Sequence, residues 1–204
     1  NATDMIPVED VNLAKKEINK KYNISDDEKV FLFVGRINIL KNVLFIVESL
    51  KILKDRGFKF KMLYVGSGQD EDKLKEKIKE LQLGNEVLLC GRITDRELMK
   101  KIYARADLFL FPSLYDASSL VQVEAASQHT PTIFIEGAAT TATITNNVNG
   151  IIAKNSIDDY ANQIEKMITD SEFYNKIADG AFRDLYKNWD DTVKEMYEIY
   201  LKMI

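Results

Sequence analysis

Two acidic residues stand eight positions apart in the stretch SLYDASSLVQVEAASQ, residues 113–128. We expect a helix to begin at Ser118 or Ser119, because hydroxyl side chains are preferred N-caps. Asp116 then lies in the loop before the helix, and Glu124 leans toward the same helix end. Carboxylates accept hydroxyl groups and free helical N–H groups donate to phosphate oxygens, a combination that suits a nucleotide sugar. The alternative is a capping aspartate followed by an ordinary exposed acid.

A second stretch, GRINILK at residues 35–41, brings two cations to a turn after an apolar run. Gly35 allows the chain to leave its strand sharply, and Arg36 offers a planar set of donors that fits phosphate oxygens. Lys41 adds a mobile positive charge, and a helix beginning near Asn42 adds free N–H groups. Taken alone, these residues are equally compatible with two solvated surface cations.

A third stretch, VGSGQDED, resembles the beginning of a dinucleotide-binding fingerprint but departs from it. Gly66 and Gly68 have the right spacing, whereas the third glycine position holds Glu71 and is surrounded by acids. Acids at this helix start disfavour a pyrophosphate. We therefore expect the two glycines to serve a tight turn and the close approach of a neighbouring loop.

Composition limits the function classes that these residues can serve. The chain has 204 residues, 46% of them hydrophobic and 29% charged, which is typical of a globular protein. A net charge of −4 disfavours broad binding to nucleic acid. The single Cys90 and the single His129 are interpreted as packing residues, without a disulfide or a histidine-rich metal site. We expect a reducing, cytoplasmic location.

Short apolar runs alternate regularly with helical patterns along the chain. Such alternation predicts an α/β fold with a doubly wound, mostly parallel sheet and additional C-terminal helices. The predicted strands cover residues 29–35, 60–66, 86–90, 107–111, 132–135 and 150–153. The predicted helices cover residues 8–22, 42–56, 70–81, 95–104, 119–128 and the region from 156 onward, with a break at Gly180.

In a doubly wound sheet, ligands bind outside the carboxyl ends of the strands. Right-handed crossovers bring the turns after all the strands to this one edge. The turns expected there are residues 35–41, 66–70, 91–95, 112–119 and 136–141.

The terminal helix, expected over residues 186–203, has an apolar side formed by Trp189, Val193, Met196, Tyr197 and Tyr200. We expect this side to be exposed in the chain and to dock on another domain of a longer protein.

The order of these stretches, continued by TPTIFIEGAA and NNVNGIIA, resembles the carboxyl-terminal domain of group 1 retaining glycosyltransferases with the GT-B fold. The resemblance runs from Lys29 to Ala153. It implies a Rossmann-like, cytoplasmic domain that binds a nucleoside-diphosphate sugar for transfer to a lipid, polysaccharide or other bacterial cell-envelope acceptor. It also implies a single domain over residues 1–204 and a separate amino-terminal acceptor domain in a longer enzyme, which allows peripheral membrane association. The chain alone is then expected to be inactive.

The resemblance also assigns roles to residues. Asp116, Arg36 and Lys41 take part in transfer, the two cations stabilising the departing diphosphate without a bound metal or other cofactor. Glu124 holds the ribose as the second acid of the family's E-x7-E pattern. The residues implied in donor binding are Gly35, Arg36, Lys41, Gly66, Gly91, Arg92, Asp116, Ser118, Ser119, Leu120 and Glu124.

Two departures from the family pattern bear on the donor. Asp116 is one methylene shorter than the usual glutamate, and Ala117-Ser118-Ser119 replaces a frequent Gly-Phe-Gly. Fewer glycines restrict close backbone approach, which leaves the identity of the donor sugar open.

The sequence also bears on four other classes of protein. A dinucleotide-dependent oxidoreductase would need G-x-G-x-x-G after the first strand, where GRINILK stands instead. A serine hydrolase or P-loop NTPase would need motifs that this sequence lacks. A non-catalytic interaction module on a flavodoxin-like scaffold stays open, because fold does not fix function.

Overall fold

The computed structural model describes residues 3–7, 10–116 and 120–201. They form a six-stranded parallel sheet with the strand order β3-β2-β1-β4-β5-β6. The strands are β1 Lys29–Val34, β2 Phe60–Val65, β3 Val87–Leu89, β4 Leu108–Leu110, β5 Thr132–Ile135 and β6 Ile151–Ala153. The predicted doubly wound α/β class is confirmed, and the chain reverses its direction across the sheet between β1 and β4.

Helices connect the strands and extend beyond the last one. They are α1 Val11–Tyr22, α2 Val43–Asp55, α3 Glu71–Glu80, α4 Arg96–Arg105, α5 Leu120–Ser127, α6 Ile157–Thr169, α7 Ser171–Leu185 and α8 Trp189–Leu201. Short 3₁₀ turns at Ile39–Lys41 and Ala139–Thr143 lie in two of the loops at the carboxyl ends of the strands. Within the described residues, no helix is long and apolar enough to cross a membrane.

The central strands are apolar on both sides because helices cover both faces of the sheet. Phe31, Leu32 and Phe33 of β1 are fully buried, and this strand pairs in register with β2 along its whole length. Burial on two faces explains why the strands have continuous apolar runs rather than alternating patterns.

The prediction of a helix break at Gly180 is wrong. Helix α7 runs through Gly180 without interruption, and the breaks fall at Asp170 and at residues 186–188. A Cβ built on Gly180 would lie 1.9 Å from the carbonyl oxygen of Val148. The glycine therefore permits the close packing of α7 against a distant loop, a requirement that local sequence does not reveal.

Helix α8 leaves its apolar side uncovered, as predicted. Trp189, Val193, Met196, Tyr197 and Tyr200 are between 55% and 69% exposed. Because monomeric proteins rarely leave a continuous apolar helix face in water, this side of α8 has the character of an interaction surface.

Candidate functional site

A cavity of about 880 Å³ opens at the carboxyl ends of the strands. Residues from the loops after β1, β2 and β3 and from helix α5 form its wall together. Of the residues implied in donor binding, the cavity is lined by Gly35, Arg36, Gly66, Arg92, Leu120 and Glu124. Arg36 and Glu124 thus lie at one edge of the sheet, as predicted from strands that all run in the same direction.

The loop that presents Arg36 is fixed by hydrogen bonds from its neighbours. The Oδ1 atom of Asn38 accepts the N–H of Lys41 at 3.0 Å and caps the 3₁₀ turn. The Oδ2 atom of Asp70 accepts the N–H of Ile39 at 2.9 Å. Ion pairing with Lys73 and the bond from Ile39 lower the pKa of Asp70. Asp70, one of the acids that disfavour a pyrophosphate at the second turn, therefore stabilises the first turn.

Glycines allow these loops to approach one another closely, as expected from VGSG. A Cβ on Gly66 would lie 1.9 Å from the carbonyl oxygen of Gly35, and one on Gly68 would lie 2.0 Å from that of Ile37. The N–H of Gly66 also donates to the carbonyl oxygen of Gly91 at 2.8 Å. The loops after β1, β2 and β3 are joined by these contacts into one rigid rim of the cavity.

Lys41 and Asp116 form an ion pair through Nζ and Oδ1, with both side chains largely buried. The pair connects the loop after β1 to the loop after β4, which also meet where Asn42 Nδ2 donates to the carbonyl oxygen of Pro112 at 3.4 Å. The roles implied by the resemblance placed Lys41 on a diphosphate and Asp116 on a sugar. In this structure the two side chains pair with each other, and among the described residues the cations that line the cavity include Arg36 and Arg92 but not Lys41.

Glu124 projects from α5 into the cavity and accepts a hydrogen bond from the hydroxyl of Tyr103 at 2.9 Å. Tyr103 is only 2% exposed, and burial together with the neighbouring carboxylate raises its pKa well above the usual value. The phenol therefore keeps its proton at neutral pH and donates to the carboxylate. Asp116 and Glu124 were expected to converge on one spot, whereas the structure places Glu124 on Tyr103 and Asp116 on Lys41.

Leu120 is the first residue of α5 and lies at the cavity surface, 45% exposed. Ser118 and Ser119, expected to cap this helix and to contact the donor, lie outside the described residues. Gly91 has a φ of 67° after β3, a conformation that favours glycine.

Sequence reasoning missed several residues of the cavity wall. Tyr103 and Lys100 come from α4, and Trp189 comes from the first turn of α8. Nothing in the local sequence distinguishes Tyr103 from an ordinary core residue of a helix. Trp189 reaches the cavity only through the path of the chain after α7. Within the part of the chain that the structure describes, no group of three or more His, Cys, Asp or Glu residues could hold a metal ion.

Comparisons with known proteins bear on the family and the fold of this chain. Residues 14–184 match the family described as "Glycosyl transferases group 1". An uncharacterized glycosyltransferase of Methanocaldococcus jannaschii is 28% identical, over 94% of this chain and 50% of the relative. The capsular polysaccharide biosynthesis glycosyltransferase CapM of Staphylococcus aureus is 25% identical, over 97% of this chain and 53% of the relative. The chain thus spans about half the length of the curated relatives it matches.

Two solved structures show the same fold. The Anabaena protein HepE, crystallised with UDP and glucose, superposes with a TM-score of 0.81 at 18% identity, covering 100% of this chain and 56% of HepE. The C-terminal domain of LpcC, a glycosyl transferase group 1 family protein of Francisella tularensis, superposes with a TM-score of 0.75 at 20% identity. That match covers 89% of this chain and 95% of the LpcC domain, so the likeness is to a carboxyl-terminal half.

Proposed function

The chain belongs to the group 1 glycosyl transferases, and from that premise we propose that its cavity binds the nucleoside diphosphate of a sugar donor. The observation that supports this most strongly is the meeting of Arg36, Arg92 and Glu124 in one cavity at the carboxyl edge of the sheet. A volume of about 880 Å³ falls within the usual range for small-molecule sites.

The donor groups match the chemistry of the cavity wall. Arginine side chains bind phosphate oxygens through paired N–H donors, so Arg36 contacts the diphosphate. The carboxylate of Glu124 accepts the ribose hydroxyls. Leu120 lies at the N-terminus of α5, where free N–H groups and the helix dipole favour a phosphate. Gly35 and Gly66, where the loops after β1 and β2 meet, line the part of the cavity in which the ligand would lie.

In the proposed reaction the bond between the anomeric carbon and the diphosphate oxygen breaks, and the diphosphate leaves with the electron pair. An acceptor hydroxyl forms the new bond on the same face of the sugar, and its proton passes to the departing phosphate oxygen. Arg36 and Lys41 stabilise the charge that grows on the leaving group. Lys41 can do this only if it leaves its ion pair with Asp116 and pairs with the diphosphate instead. Asp116 is then free to contact the donor sugar. The cations take the place that a metal ion would otherwise fill.

The acceptor is proposed from the relatives. CapM is named for capsular polysaccharide biosynthesis, and we infer a lipid, polysaccharide or other cell-envelope acceptor for this protein as well. An amino-terminal domain in a longer protein would hold that acceptor, since the relatives are about twice as long as this chain. We also propose that the protein acts in the cytoplasm, at the inner face of the membrane.

Calorimetric titration of the chain with UDP, GDP and ADP tests the proposal. Glu124→Gln is expected to weaken binding by about 1.5–3 kcal/mol, the usual value of a hydrogen bond to a charged group. Arg36→Ala is expected to weaken it by a similar amount.

Matched controls come from the surface pair Arg56 and Glu165, which joins the end of α2 to α6. The end of α2 is at the opposite edge of the sheet from the cavity, so Arg56→Ala and Glu165→Gln should leave nucleotide affinity unchanged. A folded chain that binds none of the three nucleotides would contradict the proposal and favour the interaction-module alternative.

A further inference from the structure

Tyr103 occupies an unusual position for a core residue, because its ring is buried while its hydroxyl reaches the cavity wall. The ring is 2% exposed and packs edge-on against Phe109 at 6.0 Å between ring centroids. The carbonyl oxygen of Tyr103 accepts the hydroxyl of Thr130 at 2.7 Å. Both ends of the residue are therefore held, and the phenol oxygen has a fixed position.

That fixed hydroxyl donates to Oε2 of Glu124 at 2.9 Å. A glutamate on a helix otherwise has three rotatable side-chain bonds, and its carboxylate samples several positions. The bond selects one of these positions and occupies one carboxylate oxygen. The second oxygen is left for a ligand of the cavity that both residues line.

We propose that Tyr103 is a positioning residue that fixes the Glu124 carboxylate for the ribose hydroxyls of the donor. This inference rests on the proposed function, since it assumes that Glu124 binds ribose. It assigns Tyr103 no contact with the nucleotide. The effect is preorganisation: the ordering of a flexible acid is completed before the ligand arrives.

The alternative is that the bond only satisfies the hydroxyl of a buried tyrosine. Tyr160 provides the matched control, because it is also buried and donates to the carbonyl oxygen of Ile133 at 2.9 Å. Tyr160→Phe removes a buried hydroxyl of the same kind, but leaves Glu124 and Tyr103 in place.

The test compares affinities for UDP, or for GDP or ADP if these bind more tightly, with affinities for the 2′,3′-dideoxy form of the same nucleotide. The readout is the ratio of the two affinities, which reports the ribose hydroxyls alone. Tyr103→Phe is expected to lower affinity for the ribonucleotide about tenfold and to leave the dideoxy form nearly unchanged. Tyr160→Phe is expected to keep the wild-type ratio.

The double variant Tyr103→Phe with Glu124→Gln shows whether the tyrosine acts through the glutamate. We expect it to bind no more weakly than Glu124→Gln alone, because the two changes remove one function. Additive losses, or a wild-type ratio in Tyr103→Phe, would overturn the inference. A wild-type chain that binds no nucleotide would instead overturn the proposed function.

Glu124→Asp gives an independent answer should Tyr103→Phe fail to fold. The shorter side chain keeps the charge but withdraws the carboxylate from the hydroxyl of Tyr103. The ratio of the affinity for the ribonucleotide to that for its dideoxy form should then fall to the value found for Glu124→Gln. A ratio equal to wild type would show that the carboxylate binds ribose without the tyrosine, and would refute its positioning role.

Discussion

At the scale of single residues, the cations assigned to the diphosphate lie in different environments. Arg36 and Arg92 face the cavity, whereas the positive charge of Lys41 is neutralised by Asp116. An acid so close to a lysine competes with any anion for that lysine. The ion pair therefore gives Asp116 an effect on diphosphate binding that is opposite in sign to that of Glu124.

We predict that Asp116→Asn tightens binding of UDP about two- to fivefold, since it releases Lys41 from an ion pair of ordinary strength. The same change should lower sugar transfer by a longer enzyme, where the carboxylate is needed near the donor sugar. Asp55→Asn is the control, because Asp55 pairs with Lys51 at the far end of α2. Weaker binding of UDP by Asp116→Asn, measured by calorimetry, would contradict this assignment.

Sequence indicated the charged residues of the site better than the residues that orient them. Arg36 lies in the turn after one strand and Glu124 on the helix after another. Both could be predicted, because parallel strands bring these segments to one edge of the sheet. Tyr103 could not be predicted in this way, because its importance depends on a contact with a residue 21 positions away. A buried tyrosine on a helix has the same sequence pattern whether or not its hydroxyl has a partner.

At the scale of elements, the loop between β1 and α2 depends on the loop between β2 and α3. Asp70 is 5% exposed and accepts the N–H of Ile39, and its own N–H donates to the carbonyl oxygen of Ile37 at 3.3 Å. These bonds fix the backbone on either side of Asn38. The position of Arg36 in the cavity is therefore set partly by a residue of another loop.

We predict that Asp70→Asn lowers both the unfolding temperature at pH 7 and, several-fold, the affinity for UDP. The pKa of Asp70 is lower in the folded chain than the ordinary value of 3.8, first because of Lys73 and then because of Ile39. Its stabilising contribution is thus present above about pH 3.8 and is lost as the pH falls through the lower folded pKa. Thermal unfolding of both proteins at pH 7 and pH 3 checks this, since the difference between them should shrink in acid.

Asp72→Asn is the matched control for this change. Asp72 lies two residues further along α3 with its side chain 93% exposed, so its replacement should affect neither property. An equal effect from Asp72 and Asp70 would mean that general charge on α3, rather than support of the neighbouring loop, explains the result.

The strands could be predicted from their apolar runs because burial on both faces strongly favours apolar residues. Gly180 was misread for the opposite reason. Glycine is a poor helix former, which suggests a break, but contact with the carbonyl oxygen of Val148 requires it inside α7. Local propensity was overridden by a tertiary contact that only the folded chain displays.

At the scale of the whole molecule, two features agree with the proposed second domain of a longer protein. They are the exposed apolar side of α8 and the match to only about half the length of the relatives. The exposed residues of α8 lie on a helix that follows the whole Rossmann-like domain, and its first residue, Trp189, lines the cavity. A second domain that covered α8 would therefore also lie close to the donor site.

We predict that backbone amides of α8 exchange hydrogen more slowly in a longer protein that includes an amino-terminal domain than in this chain. Burial of the apolar side would suppress local opening of the helix. Helix α6, whose Tyr160, Ile164 and Met167 are already buried, is the internal control and should exchange at the same rate in both. Equal exchange of α8 in both proteins would show that the second domain does not cover it.

The most direct test of the account is a crystal structure of the chain with UDP bound, or with GDP or ADP if either binds more tightly. The proposed donor site predicts ribose hydroxyls within hydrogen-bonding distance of the Glu124 carboxylate, about 2.5–3.0 Å between oxygens. It also predicts diphosphate oxygens against Arg36 and the N-terminus of α5, with the Tyr103 hydroxyl still on Glu124. A nucleotide bound away from this cavity, or bound in it with the ribose remote from Glu124, would contradict the account.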